Sequence, residues 1–361
     1  MRKIAPFDDR STSELSKVSS LAAAPSLPIQ NELPSSAEVW PSLEGLMRDR
    51  LRKCVTLLPK VLGEDDPEVV HDMRVWSRRL QQVIVTIFPE PMLPEARAMI
   101  RTLRRTRRSL GGWRDCDVVI ALLERRVRAT RGQDLKQAWE FVLETARRKL
   151  ERQMRRARTR IANRKMFTLA QRGRELIEQR RAQNNQAQVD PLASLASSVT
   201  AAYDNWRDGL ARAKSSTDPI EIHAFRIQTK RLRYRIELFR DLGSSSAKAA
   251  LASLKTLQDE LGRWHDNLAF VRITAEGIAD PDFLIEHSRT AALILRKLDR
   301  DDARYLKRVR HLLGKIDDEA DASPLHAAII EFRDLIESKP SPDSAPSSEA
   351  ESKQMPDLKY V

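Results

Sequence analysis

Histidine, arginine and lysine recur together at helical spacing in two places. DDPEVVHDMRVWSRRLQQVIVTIF runs from Asp65 to Phe88, and TDPIEIHAFRIQTKRLRYRIELF runs from Thr217 to Phe239. At about 100° per residue, with His223 at zero, Arg226 falls at about 300°, Lys230 at about 340° and Arg233 at about 280°. These side chains form one cationic stripe. His71, Arg74 and Arg78 make the same stripe in the first stretch, where Gln81 takes the place of Arg233. Arg79 and Arg231 flank the stripes at about 80°. Like charges at i, i+3 and i+7 repel unless an anion lies between them. Arginine binds phosphate oxygens bidentately and lysine adds a point charge. The chemistry on offer is anion capture, with phosphate the best fit. The plainer alternative is a solvated helix face. It ranks lower because these faces carry almost no acids at i±4.

The histidines leave two readings open: direct contact with an anion, or a hydrogen bond to a neighbouring loop. A metal site is disfavoured, because neither histidine has a second His or a carboxylate at i+3 or i+4. A phosphoacceptor histidine is disfavoured too, because no separate acid or base partner is visible. No catalytic residue, metal or cofactor is expected.

A second pair of similar stretches follows. LRRTRRSLGGWRDCD spans Leu103 to Asp117, and LKTLQDELGRWHDNL spans Leu254 to Leu268. They share Leu103/Leu254, Leu110/Leu261, Gly111/Gly262, Trp113/Trp264 and Asp115/Asp266. Ahead of the glycine, Arg101, Arg104 and Arg108 stand at i, i+3 and i+7, with Arg105 beside them. Only Lys255 remains of that set in the second stretch, and Arg114 aligns with His265. A Gly-x-Trp turn is expected in each, with the tryptophan packed at the turn. Asp115 and Asp266 are expected to cap helices or to hold a basic residue.

The elements that must position these residues all read as helices. They are expected at about 37–62, 66–88, 93–111, 114–131, 134–163 and 165–182, then at about 190–214, 218–242, 246–262, 265–278, 282–313 and 323–337. Asp66 and Asp218 supply N-caps, Pro67 and Pro219 suit a first helical turn, and Gly63 and Gly243 suit helix ends. His71 and His223 lie 152 residues apart, and Gly111 and Gly262 lie 151 apart. That spacing fits a duplicated domain half rather than a solenoid repeat. The fold class is therefore all-α, with a first half at 37–183 and a second at 190–337. QNNQAQVDP at 183–191 divides them. Residues 1–36 and 338–361 are rich in Ser, Pro and Ala and read as disordered.

Charge narrows the partner. The chain of 361 residues carries a net +13. Between Arg97 and Arg181 there are 26 basic and nine acidic residues, a surplus of 17, so the remainder carries −4. Concentrated charge of this kind points to a polyanion: nucleic acid, an anionic membrane surface or polymeric phosphate. Cys54 and Cys116 are too few for a disulfide scaffold and point to a reducing, cytoplasmic setting. No apolar run approaches the length of a membrane span.

VHDMRVWSRRL, LRRTRRSLGGWRDCDV, IHAFRIQTKRLRY and LKTLQDELGRWHDN together resemble the CHAD family, the conserved histidine α-helical domain. The resemblance covers about 37–337. It implies two helical bundles related by a pseudo-twofold around a basic central channel. It also implies binding of long-chain inorganic polyphosphate and location at polyphosphate granules, as a binding module rather than an enzyme. Gln81, where the pattern favours Arg, and Leu268, where the first copy has Asp117, depart from it. The E-x-E-x-K strand of a fused triphosphatase domain is not found. Nucleic acid is the runner-up partner, motivated by the basic stretch 97–181. The stripes lack the exposed aromatics that stack bases. Hydrolysis would call for clustered carboxylates around Mg²⁺, which the basic faces lack.

Overall fold

Asp-Pro pairs set where four of the helices begin. In the computed structural model Asp66 accepts a hydrogen bond from the Glu68 amide, Asp190 from Leu192 and Asp218 from Ile220, each at 2.8 Å. Asp280 accepts one from Asp282 at 3.1 Å. The aspartate satisfies an amide left without a helical partner, and the proline has no amide to lose. The structure describes residue 33 and residues 36–89, 91–163, 166–183, 190–216, 218–316 and 323–337. The tails at 1–32 and 338–361 and most of the expected dividing segment, 184–189, lie outside the described residues.

Among the described residues every regular element is helical. In order they are α1 (Ser36–Gly63), α2 (Pro67–Ile87), α3 (Pro94–Ser109), α4 (Gly111–Ala129), α5 (Gln133–Ala162) and α6 (Leu169–Gln183). Then follow α7 (Pro191–Ser215), α8 (Pro219–Asp241), α9 (Ser245–Ser253), α10 (Lys255–Ile278), α11 (Pro281–Gly314) and α12 (Pro324–Glu337). Gly243, with φ of 107°, ends α8 in the left-handed region that favours glycine.

The expected Gly-x-Trp turn is not a turn. The chain instead bends at Leu110 and at Leu254, both with near-helical backbone angles. Gly111, Gly112 and Trp113 form the first turn of α4, and Gly262 and Trp264 lie well inside α10. The reason is packing. Trp113 and Trp264 are fully buried, and burying an indole outweighs the roughly 1 kcal/mol that a helical glycine costs. Asp115 and Asp266 therefore sit inside helices and cap nothing.

The apolar cores cut across the two sequence halves. The larger core takes Leu43 and Met47 from α1, Leu80 and Ile84 from α2, Phe225 and Phe239 from α8, and Phe332 from α12. Phe239 and Phe332 stack with ring centroids 3.9 Å apart. The smaller core packs Val119 and Leu123 of α4 and Trp139 of α5 against Phe270 of α10 and Leu298 of α11. Cys54 and Cys116 are free and buried in these cores, and burial pushes the Cys54 thiol up to about 12 and the Cys116 thiol up to about 11. Among the described residues no helix is long and apolar enough to cross a membrane.

A buried ionic joint seats α2 against α8. Glu237 of α8 is buried and accepts from Arg79 Nε of α2 at 3.3 Å and from Arg233 Nε at 2.8 Å. Arg50 of α1, also buried, donates to the Arg79 carbonyl at 2.8 Å and pairs with Asp241. This joint fixes how the two histidine-bearing helices face each other. Trp264 seats α10 in the larger core, which also takes in α2 and α8. Trp264→Ala should lower unfolding stability by roughly 3–5 kcal/mol in urea titrations. A loss below about 1 kcal/mol would show that the indole does not hold α10 in place.

Candidate anion-binding site

With α2 and α8 held together, their basic side chains meet. Arg74 and Arg78 come from α2, and Arg226 and Lys230 from α8. Arg107 of α3 reaches in beside them. Its guanidinium donates to the Ser77 carbonyl at 2.9 Å and to Gln81. Arg74 in return donates to the Arg107 carbonyl at 2.9 Å. Arg78 donates to the Tyr234 hydroxyl at 3.3 Å and lies 5.7 Å from that ring. Arg78 stands at the centre of the cluster: its charge acts on Arg74, Arg107, Arg226 and Lys230.

Burial and mutual repulsion mark the cluster electrostatically. Burial, with Arg226, Arg78 and Arg74 around it, lowers Lys230 to about 7. Burial and Arg78 lower Arg74 and Arg107 to about 10 each. Burial also lowers Arg226, against the pull of Asp266. His265 of α10 is pushed down to about 3 by burial, Arg226 and Lys230. His223 lies 5.6 Å from His265, ring to ring, and is lowered by burial and by Arg226. His71 is lowered by partial burial and by Arg114. Asp115 and Asp266 are the acids that act on Arg226, and Glu68 and Asp72 act on His71. Asp115 is held by Arg272 at 3.1 Å, and burial keeps Asp266 above the usual carboxylate range. Arg226 Nε and His265 Nδ1 are buried with no hydrogen-bond partner among the described residues. Buried polar atoms of that kind are costly, and a bound anion would pair with the Arg226 donor.

Residues 45–273 match the model of the CHAD domain. The chain belongs to the CHAD family. The crystal structure of the CHAD domain from the plant Ricinus communis has the same fold, with a TM-score of 0.60 and 20% identity, over 82% of this chain and 96% of that one. No curated protein matches the chain.

The residues expected from the stripes sort into groups in this CHAD chain. His71, Arg74, Arg78, Arg114, His223, Arg226, Lys230 and His265 share the field of the cluster. Arg79 and Arg233 are spent on Glu237, so the α8 face does carry an acid at i+4 from Arg233, contrary to expectation. Arg231 lines a groove on another side, with Ser198 and Arg235. Lys255 pairs with Asp259 at 3.3 Å. Arg101, Arg104 and Arg108 form an exposed row on α3, of which Arg104 acts on Arg107.

Sequence reasoning misses Arg107 and Tyr234. A wheel drawn for one helix cannot show a side chain arriving from the next. A signal is present in the aligned stretches. Gln81 aligns with Arg233, and Arg107 aligns with Gln258. The first pair of stretches thus has Gln on its histidine helix and Arg on the following one, and the second has the reverse. Gln81 is not a lost charge, because Arg107 brings a guanidinium to it.

A lysine amine near 7 has a consequence for stability without ligand. Between about pH 7 and its ordinary value near 10, the unfolded chain binds a proton at Lys230 that the folded chain does not. Stability should therefore rise with pH from about 7 to about 9. Melting temperature measured across that range should rise less in Lys230→Met. Parallel curves for the two proteins would remove Lys230 as the source.

Proposed function

We propose that this CHAD protein binds long-chain inorganic polyphosphate in a basic channel between α2 and α8, and that it associates with polyphosphate granules. The observation that carries the reading is the convergence of Arg74, Arg78, Arg107, Arg226 and Lys230, from three helices, on one partly buried space. Cations crowded in this way are favourable only with anionic charge between them. A linear phosphate chain offers a negative oxygen to each in turn. Guanidinium groups from both sides would grip it bidentately. His223 and His265 border the path and can gain protons when phosphate arrives.

The reading is of binding without turnover. The acids near the cations, Asp115 and Asp266, are set among arginines rather than grouped as carboxylates that would hold Mg²⁺. Affinity should be mainly electrostatic and should fall steeply with salt, through counterion release. The partner is read as polyphosphate rather than nucleic acid because the cluster offers backbone-type contacts and little to stack a base. The Tyr234 ring is already covered by Arg78 and Arg233.

Arg226→Glu with Lys230→Glu should weaken retention of long polyphosphate by about a hundredfold or more, two charge-assisted contacts being lost. Helical circular dichroism should stay unchanged. Undiminished binding in a folded double variant would remove the cluster from the function. Duplex DNA at equal phosphate concentration should fail to displace polyphosphate, and effective displacement would favour nucleic acid as the partner.

A further inference from the structure

A cavity of about 340 Å³ opens between α4, α10 and α11, away from the α2–α8 seam. Its size falls at the lower end of the range for small-molecule sites, about 300–1,000 Å³. Its lining has two chemistries. Arg125 of α4, Arg263 of α10 and Arg304 of α11 bring guanidinium groups to it from three helices, and Arg263 also pairs with Glu260. Arg126 and Arg304 are both anchored on the buried Asp301, at 2.6 and 2.8 Å, so their positions are set in advance. Lys297 lies in the field of Arg126, Arg300 and Arg304 and adds to the positive potential.

Leu122, Tyr305 and the buried Phe270, which packs on Trp139, make the apolar and aromatic part of the lining. A bare phosphate chain gains nothing from that surface, whereas a planar ring does. Asp266 lines the wall toward the central cluster, where Arg226 and Lys230 act on it. A carboxylate on that wall suits a donor such as a ribose hydroxyl or an exocyclic amine.

We propose that this cavity binds a nucleoside mono- or diphosphate, with the ring on Tyr305, the phosphate at Arg125 and Arg263, and a ligand hydroxyl or amine on Asp266. The site borders the central cluster at Asp266, but its arginines and its ring are its own, and it does not depend on the polyphosphate reading. Three kinds of group (cation, ring surface, acceptor) stand within one small volume, and a nucleotide presents the three complements. A cavity of this size suits a single nucleotide better than a dinucleotide.

Isothermal titration calorimetry of the full chain at about 0.15 M salt tests it. ADP, adenosine, pyrophosphate and orthophosphate are titrated into the wild type and into Arg226→Glu/Lys230→Glu. ADP should bind one to one in both proteins, about tenfold or more tighter than adenosine or pyrophosphate in the double variant. Arg263→Glu, at an exposed position, and Tyr305→Ala should each weaken ADP by about tenfold or more while leaving polyphosphate retention unchanged. Absence of saturable ADP binding would overturn the proposal. Pyrophosphate binding as tight as ADP in the double variant would overturn it as well. So would ADP binding that survives both Arg263→Glu and Tyr305→Ala but is lost in the double variant, because the nucleotide would then sit in the central cluster.

Discussion

Positive charge confined between α2 and α8 is the constraint to which the rest of the fold answers. Two unit charges about 4 Å apart repel by about 4 kcal/mol at a surface-like effective dielectric of about 20. Here Arg78 alone faces Arg74, Arg107, Arg226 and Lys230. No element would hold these groups together by its own preference. The surrounding structure does so in three ways. The Glu237 joint takes Arg79 and Arg233 out of the repulsion and turns them into a fastening. Backbone carbonyls of Arg107 and Ser77 accept from Arg74 and Arg107, which fixes their directions without cancelling their charge. Two apolar cores, each built from both sequence halves, supply the burial that keeps the helices in place.

The same confinement explains the titration behaviour. Lys230 stays near 7 because burial and its cationic neighbours disfavour a further charge. His265 is driven far below its usual range for the same reasons. The ligand-free cluster thus carries less charge than its residue types suggest. An anion would reverse the balance at once, by neutralising the neighbours and favouring the charged forms. Binding and protonation would then be coupled, and the coupling would reside in Lys230, His223 and His265 rather than in the arginines, whose charge persists near neutral pH.

Much of this architecture is legible in the residue pattern alone. The 3.6-residue period puts Arg74, Arg78, Arg226 and Lys230 on one face and Met73, Leu80, Phe225 and Leu232 on the other, and the structure buries the second set. The Asp-Pro pairs place the helix starts for a local reason, amide capping, which needs no tertiary knowledge. What the pattern does not reveal depends on contacts between helices. Arg107 points at α2 because Ser77 and Gln81 are there to receive it. Arg233 leaves the stripe because buried Glu237 draws it away together with Arg79. The glycines at 111 and 262 read as breaks because glycine is a weak helix former. The buried tryptophans beside them override that preference. The Arg/Gln exchange between Gln81–Arg107 and Arg233–Gln258 shows how the two pairs of similar stretches can differ in sequence and both retain a guanidinium near the seam between helices.

If polyphosphate occupies the α2–α8 cluster, as proposed, a cluster only partly charged beforehand must take up protons as the anion arrives. Calorimetric titration of long polyphosphate slightly above neutral pH, in several buffers of different ionisation enthalpy, measures the protons taken up on binding. Net uptake is expected for the wild type and distinctly smaller uptake for Lys230→Met. Binding with no proton uptake, or with the same uptake in both proteins, would contradict it.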